Sequence, residues 1–120
     1  MAERLKKPLV IEEFGLPRDG QSFDPASATT FRDRYFAAVF EYLGSRRSGR
    51  SSIAGANFWA FGGTGRPIKS QLVWKPGDER TGDPPMEEQG LYSIFDGDAS
   101  TWRVIGQAMQ PRRRRGAKGF

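Results

Sequence analysis

The chain has 120 residues, a formal net charge of +5 from 19 basic and 14 acidic residues, and neither cysteine nor histidine. Disulfides, thiolate chemistry, Ser-His-Asp triads, Cys-His dyads and the usual nitrogen and sulfur ligands of zinc are thereby excluded, which leaves carboxylates for acid-base or nucleophilic work. No apolar stretch approaches the length of a bilayer span, and residues 1–4 run into charge rather than a signal-peptide core, so neither a membrane partner nor an export signal is expected.

Residues 2–7 are polar and helix-tolerant and Pro8 stops them, so the chain is expected to open on the end of a helix. Leu9-Val10-Ile11, after Pro8 and closed by Gly15 and Pro17, read as a parallel strand covered on both faces, with Glu12 and Glu13 at its C-terminal end. Alternation puts Leu9, Ile11 and Glu13 on one face and Val10, Glu12 and Phe14 on the other, so only one of the two acids faces a shared interior. In a βα-barrel the C-terminal strand ends carry the chemistry, which makes an acid held there a catalytic candidate. A solvated strand end or a helix cap is the plain alternative.

Pro17, Asp19, Gly20, Asp24 and Pro25 make residues 16–27 a loop. Phe36, Val39, Phe40 and Leu43, at i, i+3, i+4 and i+7, predict a helix from 29 or 30 to 46 with Ser27 or Thr29 as its cap. Arg32, Asp33, Arg34 and Glu41 are expected outside, with Arg46, Arg47 and Arg50 at the negative end of the dipole and Gly44 or Gly49 as terminator. Residues 53–61, closing at Gly62-Gly63, predict a second strand and hence a right-handed βαβ unit, which brings Trp59 to the same sheet edge as Glu13. So few parallel strands cannot cover themselves, and the chain is expected to be part of something larger.

Residues 62–88 lack periodicity and read as a functional or disordered connection, in which Trp74 is either an exposed stacking surface or the loop's own anchor. The glycines at 62–65 make no phosphate loop, because no glycine precedes Lys69 and Pro67 lacks the amide such a loop needs; dinucleotide spacing is also missing. Residues 90–95 predict a short extended segment. Asp98 or Ser100 then caps a helix over 101–109 that buries Trp102, Ile105 and Met109, and Pro111 ends it. Arg112, Arg113, Arg114, Arg115 and Lys118 hold the whole charge excess, so 111–120 is expected to be a disordered basic tail.

Three segments together carry a family resemblance: Lys7-Pro8-Leu9-Val10-Ile11-Glu12-Glu13-Phe14-Gly15-Leu16-Pro17-Arg18, Asn57-Phe58-Trp59 and Glu88-Gln89-Gly90-Leu91-Tyr92-Ser93-Ile94-Phe95. They resemble the C-terminal part of glycoside hydrolase family 5, most closely its endo-β-1,4-mannanases, over about residues 1 to 109. The resemblance implies an α/β fold: an incomplete (β/α)8 TIM barrel comprising about strands 7 and 8 with their helices, in residues 1–110. It implies Glu13 as the nucleophile of a retaining double displacement and Trp59 as the floor beneath the sugar that becomes covalently attached. Trp74 is a further candidate for substrate contact. No cofactor and no metal are expected, and the partner is a β-1,4-linked mannan acted on outside the cell by the parent enzyme.

A retaining glycosidase needs a second carboxyl about 5 to 5.5 Å from the nucleophile. In the family it follows an asparagine on the fourth strand, and this chain has no Asn-Glu pair. The chain by itself is therefore expected to be inactive without the missing part of the barrel. A family 5 cellulase fragment and a non-catalytic carbohydrate-binding module using Trp59 and Trp74 are the rival readings. A basic nucleic-acid binder ranks last, because the charge is confined to the tail.

Overall fold

The structure is a computed structural model that describes residues 2–46, 51–69, 71 and 73–110. In chain order it comprises α1 (Ala2–Leu5), β1 (Leu9–Phe14), a 3-10 turn (Asp19–Gln21), α2 (Thr30–Arg46), β2 (Ile53–Phe58), β3 (Phe61–Gly63), β4 (Ile94–Phe95) and α3 (Ala99–Met109). β1 pairs with β2 in parallel and β3 with β4 in parallel, so α2 is the crossover of the expected βαβ unit. Arg47, Gly49, Arg50 and the basic tail lie outside the described residues.

Aromatic side chains build the interior. Phe14, Phe36 and Ile94 are buried at its centre, with Ile11, Val39, Phe40, Phe58, Trp102 and Ile105 packed around them. The Phe14 ring lies 5.1 Å from that of Phe36 and 5.5 Å from that of Phe40, and Phe58 bridges Phe36 to Trp102. Burying each such ring is worth about 1.5–3 kcal/mol, so this cluster fixes how β1, α2, β2 and α3 meet.

Several expectations are corrected. β1 is not covered on both faces: Leu9 and Val10 remain 44% and 46% exposed, because a two-stranded sheet under α2 leaves the rest of the strand to solvent. Strict alternation also fails. Ile11 pairs with Ala56 and Phe14 with Phe58, so three steps on β1 match two on β2, and this bulge lets Ile11 and Phe14 both reach the core under α2. The second strand stops at Phe58 instead of running to 61. Its continuation, β3, belongs to the separate pair with β4.

Arg32, expected outside α2, is fully buried, and Met109, expected inside, is 76% exposed. Thr29, not Ser27, stands at the N-cap position of α2, where its carbonyl accepts the Asp33 amide at 2.8 Å, but its hydroxyl bonds to the Asp33 carboxylate instead of a helix amide. The Asp19 carboxylate accepts the free Thr30 and Phe31 amides at 3.1 and 3.0 Å from the turn before the helix. Asp98 does precede α3, but its side chain makes no cap and is spent in the interior instead.

Candidate active site

The site begins where β1 ends. The Phe14 carbonyl accepts the Trp59 amide at 2.7 Å, so residues 13–14 and residue 59 lie side by side where the two parallel strands finish. Glu13 is exposed there, as is Glu12, while Phe14 is anchored in the core below. Trp59 is half-buried. Gly15 lets the chain leave the strand at this point, since a Cβ would stand 2.4 Å from the Trp59 carbonyl oxygen.

Beyond Trp59 the backbone is clamped. The Trp59–Ala60 peptide bond is cis, and Ala60 is buried. The Ala60 amide donates to the Tyr92 carbonyl at 3.3 Å, and the Ala60 carbonyl accepts the Ile94 amide at 2.8 Å. The segment approaching β4 is thus held against the residue that follows the tryptophan.

That segment is cross-linked in turn. The Asp83 carboxylate accepts the Gly90 amide at 2.7 Å and the Ser93 hydroxyl at 2.9 Å, and Gln89 accepts from Thr81 while its amide group donates to the Pro84 and Glu87 carbonyls. Burial pushes the Asp83 carboxyl above its ordinary value, against the lowering pull of those two hydrogen bonds.

A buried charge cluster fixes the other side. Arg32 donates to the carbonyls of Leu16, Ser93 and Leu91 at 2.8, 3.0 and 3.2 Å, which ties the loop leaving β1 to the approach to β4. Arg18 pairs with Asp98 at 2.6 Å, donates to the Ser27 carbonyl and lies over the Phe95 ring. Asp98 also accepts the Phe95 amide. Loss of water on burial, then repulsion from Arg18, lowers the Arg32 guanidinium to about 10, with Asp98 opposing both. None of Arg18, Arg32 or Asp83 was singled out from sequence. A signal for Arg32 existed: it stands four residues before Phe36, on the buried stripe of α2.

Trp74 sits in the connection between β3 and β4. Its ring N–H donates to the Asp78 carbonyl at 3.0 Å and the Arg80 guanidinium lies 5.4 Å from its ring centre. Those contacts match the anchor alternative. Strand pairing sets the Trp59 backbone against that of Phe14, the residue after Glu13, whereas Trp74 is held by residues of its own loop. Among the described residues no group of three or more His, Cys, Asp or Glu side chains could hold a metal ion, and no helix is long and apolar enough to cross a membrane.

Glu13 is an exposed carboxylate of the kind that can act as a nucleophile, and Trp59, on the neighbouring strand end, has an aromatic ring on which a ligand can stack. The sequence profile described as GH family 5 beta-mannosidase-like matches residues 1–114. This chain belongs to glycoside hydrolase family 5. Within the solved structures, the family 5 chain is similar to a glycoside hydrolase family 5 mannosidase from Rhizomucor miehei, at 36% identity and a TM-score of 0.76 over 89% of this chain. A glutamate-to-alanine variant of that mannosidase in complex with mannosyl-fructose matches at 34% identity with a TM-score of 0.74, and another such variant at 31% with 0.68. The family 5 chain spans 27% of the length of the first two of these structures and 30% of the third. It is thus a small α/β portion of a family 5 enzyme fold. A comparison with curated proteins gives no match.

Proposed function

We propose that this chain carries the nucleophile and the sugar platform of a retaining β-mannoside hydrolase, with β1 and β2 standing as the seventh and eighth strands of a barrel. Glu13 attacks the anomeric carbon and forms the glycosyl-enzyme ester; Trp59 presents its flat face to the CH-rich side of the pyranose. The observation that carries this reading is the hydrogen bond from the Trp59 amide to the Phe14 carbonyl, which sets position 59 beside the carboxylate-bearing strand end. A second carboxyl, as acid and then base, must come from outside this sequence. The 120 residues alone therefore have no turnover. Trp74 has the weaker case for sugar contact, because Arg80 and Asp78 already occupy part of its indole.

The substrate in this reading is a β-1,4-linked mannan, cleaved internally outside the cell, with no cofactor. Release of terminal mannose is the second reading, favoured by the β-mannosidase-like description of the matching family. In an enzyme completed with the rest of the barrel, a 2-fluoro-mannoside should label Glu13, and Glu13→Gln should abolish both labelling and hydrolysis. Binding without an adduct would instead indicate a non-catalytic sugar module. A fast fall in mannan viscosity marks internal cleavage; release of nitrophenol from an aryl mannoside with little change in viscosity marks the terminal mode. Comparable activity on carboxymethylcellulose would point to a cellulase.

A further inference from the structure

The backbone that follows Trp59 is held by neighbours of Ser93. Tyr92 and Ile94, on either side of that serine, take the amide and the carbonyl of Ala60. Ser93 is itself fully buried and fixed from two directions. Its carbonyl accepts from Arg32 at 3.0 Å, and its hydroxyl oxygen stands 2.5 Å from the Thr81 carbonyl and 2.9 Å from Asp83 Oδ2.

Both distances are those of O–H···O hydrogen bonds, and each such bond needs a proton between its oxygens. A serine hydroxyl has one. The Thr81 carbonyl has none to give, so Ser93 donates to it, and the proton in the other bond comes from Asp83. An ionised Asp83 would leave one of the two pairs as bare oxygens in contact.

A separate observation agrees. Asp83 is 9% exposed, and its Oδ1 is buried with no hydrogen-bond partner among the described residues. An orphaned oxygen costs less as the neutral carbonyl of a carboxylic acid than as half of a buried negative charge. Oδ2 keeps a lone pair for the Gly90 amide at 2.7 Å. Burial resists ionisation, as does the charge of Glu87 on the same loop, while the Gly90 amide and the Arg32 guanidinium of α2 favour it.

We propose that Asp83 is kept as a neutral carboxylic acid inside the fold, and that its proton, donated to Ser93, positions the backbone that carries Trp59. The links run from Asp83 to Ser93, from the neighbours of Ser93 to Ala60, and from Ala60 to Trp59 along the chain. Once the proton leaves, the single hydroxyl proton of Ser93 serves Thr81 or Asp83 but not both, and the clamp on Ala60 loosens. Asp83 is thus a positioning residue, and this role holds whatever ligand Trp59 meets.

The test follows the isotope-labelled 120-residue chain by NMR as pH is raised. At about pH 5, roughly one unit above the ordinary aspartate value, the side-chain carboxyl carbon of Asp83 should still show the shift of a protonated acid. Amide exchange at Ala60 and Ile94, corrected for its intrinsic pH dependence, reports opening of the clamp. From the ordinary 3.8 up to the pH at which the Asp83 carbon titrates, opening should rise by up to about tenfold per pH unit, the effect of one proton, and then level off. The Val39 and Phe40 amides of α2, as the reference for the rest of the fold, should change less. Asp83→Asn keeps a neutral donor toward Ser93, and it should retain the protection while losing the pH dependence. A carboxylate shift for Asp83 at that pH, which is read without any variant, would overturn the proposal. So would a response at Ala60 and Ile94 that persists in Asp83→Asn or is matched in α2.

Discussion

Among the described residues, Asp98 is the one carboxylate within ion-pairing reach of both buried guanidinium groups, Arg18 at 2.6 Å and Arg32 at 3.5 Å; the arginine side chains are fully buried and that of Asp98 is 5% exposed. Asp98→Asn keeps the shape and an acceptor for the Phe95 amide but removes the charge. Breaking a buried ion pair from one side costs about 3–5 kcal/mol, because the remaining charge stays desolvated without compensation. Here two cations are left. Small domains have only about 5–15 kcal/mol in total, so the variant should be severely weakened. With a urea m-value of about 2 kcal/mol/M for a chain of this size, the unfolding midpoint read by tryptophan fluorescence should fall by about 2 M. Adding Arg18→Met removes one stranded cation and leaves Arg32 on its three carbonyls. The double variant should therefore lose about 1–3 kcal/mol less than the sum of the single losses. Additivity within about 0.5 kcal/mol would refute the view that these three charges act as a unit.

Asp83 gives a pH dependence with a definite sign. Its folded value is raised above the ordinary 3.8 by burial, so its protonated form favours the folded chain. That contribution is complete below 3.8 and is lost as pH rises through the folded value. Asp83→Asn cannot ionise, and it should melt higher than the parent chain at pH 7, with the difference vanishing below pH 4; a constant difference across that range would contradict the assignment. Gly15→Ala forces a methyl to 2.4 Å from the Trp59 carbonyl oxygen, and backbone cannot swing aside as a flexible side chain can. It should cost about 1–3 kcal/mol in thermal unfolding and weaken sugar binding at Trp59, whereas wild-type-like stability and binding would show that the two strand ends are less tightly apposed. In the completed enzyme, Trp59→Ala should raise KM for mannan while leaving Glu13 open to labelling by the fluoro-sugar.

The apolar spacing of Phe36, Val39, Phe40 and Leu43 made α2 legible, and Pro8 with Gly15 bounded β1 at both ends. Proline, glycine and helical periodicity act within a few residues, so their consequences can be read along the chain. The shared end of the two strands was legible for the same reason: once two parallel strands are joined by one crossover helix, their C-terminal ends must coincide. Asp98 before α3 was read as a cap from its position. Only its partner across the fold, Arg18, reveals that its charge is used elsewhere. Arg32 looked like a solvent-facing residue for the equivalent reason, since its three carbonyl partners come from segments 16 and about 60 positions away.

Local chemistry in the sequence determined the βαβ unit, the carboxylate at the end of its first strand and the tryptophan at the end of its second. Tertiary structure alone decided the bulge that turns both Ile11 and Phe14 to the core, the break after Phe58, and the burial of two arginines around one aspartate. The physical reason is range. Backbone preference and hydrophobic period are properties of neighbouring residues, whereas the cost of burying a charge, and the partners that offset it, exist only after distant segments have met.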